Sequence, residues 1–254
     1  MGKSAKQRNA EQLRQLREQE RMQALAKKNK EKKLATIIVV AIIAVIALAI
    51  SITVLVMNLI KAPTMAELDF SERNITDFVE TESVTDYVKL NVSYTAEDGS
   101  EKSEDIVLRL FSNVAPISVS NFQNYVKNGF YDGLVFHRII ENFMIQGGGY
   151  DASLKSKESD APIKGEFSAN GVENNLEHVR GVLSMARTDD MNSATSEFFI
   201  VHKTSSHLDG KYAGFGFVVY GMDTVDAIAT QETNSNDQPM NTVTINSATF
   251  VKEK

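Results

Sequence analysis

The stretch "FHRIIENFMIQGGG", Phe136–Gly149, is apolar and strand-forming except where function would interrupt it. A charged pair, His137-Arg138, sits among Phe136, Ile139, Ile140, Phe143 and Met144, and a lone amide, Gln146, precedes three glycines. An arginine keeps its charge at any physiological pH, and an unpaired charge is expensive to take out of water. Its presence here calls for a surface that uses it: one fixed cation, one amide and several large apolar side chains that line a pocket. The glycines do not make a phosphate loop, because no Lys-Ser/Thr follows them and no helix opens there. They read as backbone geometry.

Working outward, the surrounding sequence is built from short strands. "YVKLNVSY" alternates, with Val88, Leu90 and Val92 on one face; "AEDGSE" supplies a turn at Asp98-Gly99, and "DIVLRLF" is the partner strand. "GVLSMA", "EFFIVH", "GFGFVVYG" and "TVTINSATFVK" are further strands punctuated by glycine. Only two helices are expected. "APISVSNFQNYVKNG" has Pro116 near its start, Val119, Phe122 and Val126 at helical spacing and Gly129 at its end; "GMDTVDAIA" has Asp223 as candidate N-cap. Many short strands and two helices predict a closed or nearly closed antiparallel barrel, which leaves no exposed edge.

The N-terminal third is of another kind. Residues 1–33 hold eleven Lys/Arg against four Glu, whereas residues 61–254 hold sixteen Lys/Arg against twenty-nine Asp/Glu. Between them, residues 34–60 are twenty-seven positions without a charge. A helix of that length covers roughly 40 Å, more than the ~30 Å of a bilayer's hydrocarbon. The expectation is a transmembrane signal anchor over 34–60, with the basic helical segment 1–33 cytoplasmic and the rest of the chain outside the cytoplasm. Residues 61–85 read as an acidic stalk in which "ELDFSERNITDFVE" forms a helical turn, and residues 86–254 as the folded domain. The absence of cysteine removes disulfides and thiolate chemistry. His137, His178, His202 and His207 lack the paired spacing of a metal site, so no metal or other cofactor is expected. The basic segment lies beside the span, where topology and anionic lipid explain it better than nucleic acid does.

Three blocks, "FHRIIENFMIQGGG", "GVLSMARTDDMNSATSEFFI" and "LDGKYAGFGFVVYGMDTVDAI", resemble the successive signatures of the cyclophilins, the peptidyl-prolyl cis-trans isomerases. They stand in family order over roughly Asp86 to Lys252. The resemblance implies an eight-stranded antiparallel barrel capped by two helices, acting on proline-containing polypeptides. It implies that Arg138 is the catalytic arginine, with His137 before it, and that Gln146 contacts both the substrate backbone and the arginine. Phe143, Met144, Phe199 and Leu208 fall on the proline pocket, with Ile140 beside them; Ala186, Arg187 and Thr188 fall on the loop that holds the residue before proline.

The chain departs from the family in places. Glu197 stands where glutamine is usual, and a carboxylate there is placed to pair with Arg138. His207 occupies the site of an aromatic that contacts cyclosporin, which implies weak inhibition by that compound. Tyr212 replaces the usual histidine at the rim and keeps an aromatic wall. The resulting expectation is a monomeric, single-pass, membrane-anchored isomerase of a Gram-positive envelope, assisting exported or surface proteins. Two rival readings are a non-catalytic module that binds proline segments and a chain whose basic N-terminus recruits the functional partner.

Overall fold

The computed structural model describes residues 62–254 continuously, together with Glu18, Arg21, Met22, Leu25, Lys27, Lys28, Lys30, Lys33, Val40, Ile46 and Leu48, each helical and exposed. Most of the anchor read over 34–60 and most of the basic segment 1–33 lie outside the described residues. Among the described residues no helix is long and apolar enough to cross a membrane. The chain divides into two compact units, Met1–Lys61 and Ala62–Lys254.

In the second unit, β2 (Tyr87–Thr95) alternates as its sequence requires: Val88, Leu90 and Val92 are fully buried and the residues between them half-buried. It pairs antiparallel with β3 (Glu101–Leu110) on one edge and β9 (Thr244–Glu253) on the other. The sheet continues through β8 (Gly214–Tyr220), β6 (Val182–Met185), β7 (Phe198–Val201), β5 (Met144–Asp151) and β4 (Leu134–Ile140), and β4 closes it by pairing Val135 with Thr244 of β9. These eight antiparallel strands form the expected barrel.

A ninth strand was not expected. β1 (Phe78–Glu80) adds to β9, with Phe78 opposite Glu253. It explains why β3 breaks its alternation at Ile106-Val107-Leu108, all fully buried. Ile106 and Leu108 enter the barrel, while Val107 joins Phe78, Val219 and Val251 in a small second core on the outside. Burying a side chain of the size of Phe78 contributes about 1.5–3 kcal/mol. The segment read as a stalk is therefore part of this unit from Ala62 onward. Phe70 stands edge-on to Phe111 and Phe217, and Asp69 receives the guanidinium groups of Arg73 and Arg109. Of two short 3₁₀ turns, Met65–Glu67 and Ile75–Asp77, the second lies within the stretch read as a helical turn.

Helix α1 (Pro116–Lys127) starts with proline at its first turn, and its buried face includes Val119, Phe122 and Val126. Its N-cap, Ala115, has no side-chain acceptor; the buried Glu166 takes the free N–H groups of Ile117 and Ser118 instead, at 3.0 and 2.7 Å. Phe122 packs against Tyr131, Phe198 and Phe215 inside the barrel. Helix α2 (Met222–Ala229) buries Val225, Ile228 and Ala229. Its N-cap is Gly221 at φ +87°, so Asp223 is a first-turn acid favoured by the helix dipole and not the cap.

Candidate active site

The barrel's register sorts the residues of the key stretch. Ile139, Ile145, Ile200 and Leu183 face one another across β4, β5, β7 and β6 and are wholly buried. Arg138, Gln146, Phe199 and Ser184 form the adjacent cross-strand row, on the other face of the same strands. An arginine can occupy an apolar run here because its side chain leaves the barrel where its neighbours enter it.

The register also slips between Phe136 and Arg138, so that His137 is an extra residue on β4. Such a bulge re-aims side chains. It puts the His137 Nε2 3.4 Å from the carboxylate of Glu197 and its ring 4.5 Å from that of Tyr150. Burial pushes the His137 imidazole below the ordinary range; Glu197 opposes the shift and Arg138 adds to it. The buried Nδ1 of His137 has no hydrogen-bond partner among the described residues.

A cleft of about 430 Å³ opens over the outward row, lined by Arg138, Phe143, Met144, Gln146, Ala186, Arg187, Phe199, His207, Leu208, Lys211 and Tyr212. Its floor is apolar: Met144, Phe199 and Leu208 are 2%, 5% and 6% exposed. Phe143 comes from the β4–β5 turn, whose Asn142 takes φ +60° and donates its N–H to His202 Nδ1 at 3.0 Å. His202 and Phe143 are further joined by a main-chain bond of 2.9 Å, which holds the turn against β7. His207 lies 5.4 Å from the Phe143 ring, and Tyr212 stands edge-on to Phe199.

Beneath Phe199 lies a buried histidine. His178 stacks on the Phe199 ring, bonds Asp209 through Nδ1 at 3.0 Å and meets Ser184 Oγ through Nε2 at 3.0 Å. Burial lowers its pKa, against the raising effect of Asp209. Ser184 is completely buried, so this Asp-His-Ser chain offers no nucleophile and serves as a support for the cleft floor.

Two expectations about Arg138 need correction. Glu197 does not reach it. Arg138 Nε instead donates to Asp237 Oδ2 at 3.2 Å, while Glu197 accepts from Gln146 Nε2 at 2.8 Å. The reason is local: Glu197 lies along Gly149, where an added Cβ would stand 2.6 Å from its Cγ, and this directs the carboxylate toward Gln146 and His137. Nor does a hydrogen bond join Gln146 to Arg138 among the described residues, although the two are register partners. Asp237, absent from the sequence reading, does the aiming; an acid in a polar loop ninety-nine residues away carried no signal for it. The Arg138 side chain remains 40% exposed.

The other site residues divide. Ile140 pairs with Met144 but packs against the core and does not line the cleft. Thr188 is exposed, and its N–H and hydroxyl are taken by Ser193 at 3.0 and 2.8 Å. His137 and Glu197 stand behind Gln146, outside the lining. Lys211 lines the cleft and was not anticipated. The other ten expected residues line it together. Among the described residues no cluster of His, Asp and Glu suited to a metal is present.

Comparison with known proteins bears on this geometry. The family model for cyclophilin-type peptidyl-prolyl cis-trans isomerase/CLD matches residues 95–250. A peptidyl-prolyl cis-trans isomerase of Acinetobacter baylyi is 49% identical over 136 residues, covering 52% of this chain and 70% of the relative. Peptidyl-prolyl cis-trans isomerase B of Escherichia coli is 41% identical over 157 residues, covering 57% of this chain and 93% of the relative. Among solved structures, a cyclophilin-type isomerase of Cryptosporidium parvum crystallised in the presence of the dipeptide Ala-Pro is similar, with a TM-score of 0.52 and 25% identity. That match covers 63% of this chain and 98% of the other.

Proposed function

This chain belongs to the cyclophilin-type peptidyl-prolyl cis-trans isomerases, and from that premise we propose that Arg138 carries the reaction, on proline segments of exported or surface proteins, from a membrane-anchored barrel. The supporting observation is the row Arg138–Gln146–Phe199 over an apolar floor. Rotation about a peptide bond faces ~18–20 kcal/mol because the nitrogen shares its lone pair with the carbonyl. In the twisted state that lone pair returns to nitrogen and can accept a hydrogen bond. Arg138 uses Nε on Asp237, and among the described residues its two Nη groups take no protein acceptor. Those groups donate to the prolyl nitrogen as it pyramidalises. Phe143, Met144, Phe199 and Leu208 grip the ring while the preceding carbonyl turns. The twisted state is bound better than either planar one, which is the requirement for catalysis. No nucleophile, proton transfer or cofactor enters the reaction.

The Gln146 amide, tied through its NH2 to Glu197, presents its oxygen to the substrate main chain. Anchoring is supported by the uncharged residues 34–60 behind eleven Lys/Arg. The test of the mechanism is the cis/trans exchange rate of a proline peptide, measured by NMR with the full chain and with Arg138→Ala. The expected loss in kcat/KM is about 10²–10³-fold, with peptide affinity changed far less. Equal rates would sink the proposed role of Arg138.

A further inference from the structure

The cleft carries three fixed cations, Arg138, Arg187 and Lys211, and no carboxylate in its lining. This is against the trend of residues 61–254, which hold sixteen Lys/Arg and twenty-nine Asp/Glu. Of the nearby carboxylates, Asp237 pairs with Arg138 itself, whereas Glu197 is turned to Gln146 and His137 and Asp209 to His178. Arg187 and Lys211 are held differently. The Arg187 guanidinium lies 4.5 Å from the Tyr212 ring centre and 5.1 Å from that of Phe167. Its N–H groups donate to the main-chain carbonyls of Thr188 at 2.7 Å, Asp189 at 3.3 Å and Lys211 at 2.9 Å. Lys211 Nζ donates to the carbonyl of His207 at 3.0 Å. Asp189 and Asp190 follow on the same loop, but among the described residues neither forms an ion pair with Arg187 or Lys211. Ring faces and carbonyls fix these cations in place without supplying a negative charge.

We infer that the cleft selects proline segments bearing a carboxylate beside the proline, received by Arg187 and Lys211; this rests on the isomerase reading of the same site. A residue flanking a proline seated on Phe199 lies one or two chain steps, about 3.5–7 Å, from the ring, and Arg187 and Lys211 line the same cleft as Phe199. Beyond these carbonyl bonds Arg187 keeps an Nη2 N–H and Lys211 two Nζ N–H groups, and a guanidinium already held by two aromatic faces loses little freedom when it takes a carboxylate. The acidic surface works the other way at long range. At physiological salt, however, charges beyond ~8 Å are screened, so contact with the rim decides the outcome.

The experiment uses the full chain in neutral detergent with blocked Ala-Xaa-Pro-Ala peptides in which Xaa is Glu, Gln or Lys. A second series places the variable residue after proline. Both kcat/KM for exchange and Kd from NMR titration are measured, at low and high salt. Exposed pairs are worth up to about five-fold each, so the Glu peptide is expected to lead the Lys peptide by about ten-fold at low salt. The lead should shrink in high salt and in the double variant Arg187→Gln, Lys211→Gln. Equal values for Glu and Lys peptides, a preference for Lys, or a Glu preference that survives removal of both charges would overturn the inference. If exchange is not accelerated for any peptide, the isomerase reading fails, and the ratio of Kd values still decides the selectivity.

Discussion

The carboxylate of Asp237 accepts the Nε–H of Arg138 at 3.2 Å, and the carbonyl of the same Asp237 accepts the N–H of Ile139 at 2.8 Å. One loop residue thus clamps both the arginine and the strand that carries it. It does so at φ +61°, a left-handed conformation that Asn and Asp tolerate far better than most residues. Asp237→Ala should therefore lower kcat/KM about ten-fold, with most of the effect in kcat, since a free guanidinium must be ordered in the transition state. Asp237→Asn keeps the acceptor and the backbone preference and should recover most of the rate. Steady-state rates for the two variants check this; equal losses would point to the charge, and no loss would remove Asp237 from the site.

Glu197 acts through Gln146. Glu197→Gln leaves an oxygen for the Gln146 amide and should stay within about three-fold of wild type. Glu197→Ala removes that acceptor and should cost about ten-fold, a typical worth for a hydrogen bond to a charged group. Gly149→Ala should resemble Glu197→Ala, because the added methyl occupies the path of the Glu197 side chain. An exchange assay on all three variants distinguishes this arrangement from a direct role of Glu197 in binding.

Acid should destabilise the barrel unit through two buried imidazoles. Burial holds both His137 and His178 below the ordinary value of 6.5. Below that value the unfolded chain binds protons that the folded chain refuses, so stability present above pH 6.5 is lost as the pH falls toward the lower folded pKa values. Thermal midpoints should hold steady from pH 8 to about 7 and fall from about 6.5 downward. In His178→Asn, which cannot titrate, that fall should be shallower. Identical slopes in the two proteins would contradict the assignment to His178.

The proposed membrane anchoring predicts a separation by fractionation. The full chain should sediment with membranes and resist alkaline extraction, and a chain beginning at Ala62 should be released. Four or more uncharged positions in 34–60 replaced by Lys should release it too, since each charge at a helix centre costs about 2.5–3.5 kcal/mol on insertion.

The sequence by itself determined the antiparallel barrel, its two helices and the main residues of the cleft. The barrel and helices follow from local facts, period-two burial in β2 and Pro116 at a helix start, whereas the resemblance of short blocks to a family implied that Arg138, Phe143, Gln146, Phe199 and Leu208 share one site, and they line one cleft. What it could not determine were relationships between polar residues far apart in the chain. Asp237 reaches Arg138 across ninety-nine residues, Glu197 turns to Gln146 because Gly149 leaves it room, and Phe78 covers Val107 from a segment whose composition looks like linker. Hydrophobic period is written in neighbouring letters, whereas the partner of a charge depends on which loops the closed barrel brings together. The register slip at His137 is of the same kind, since a bulge is a property of two strands and neither strand's sequence announces it alone.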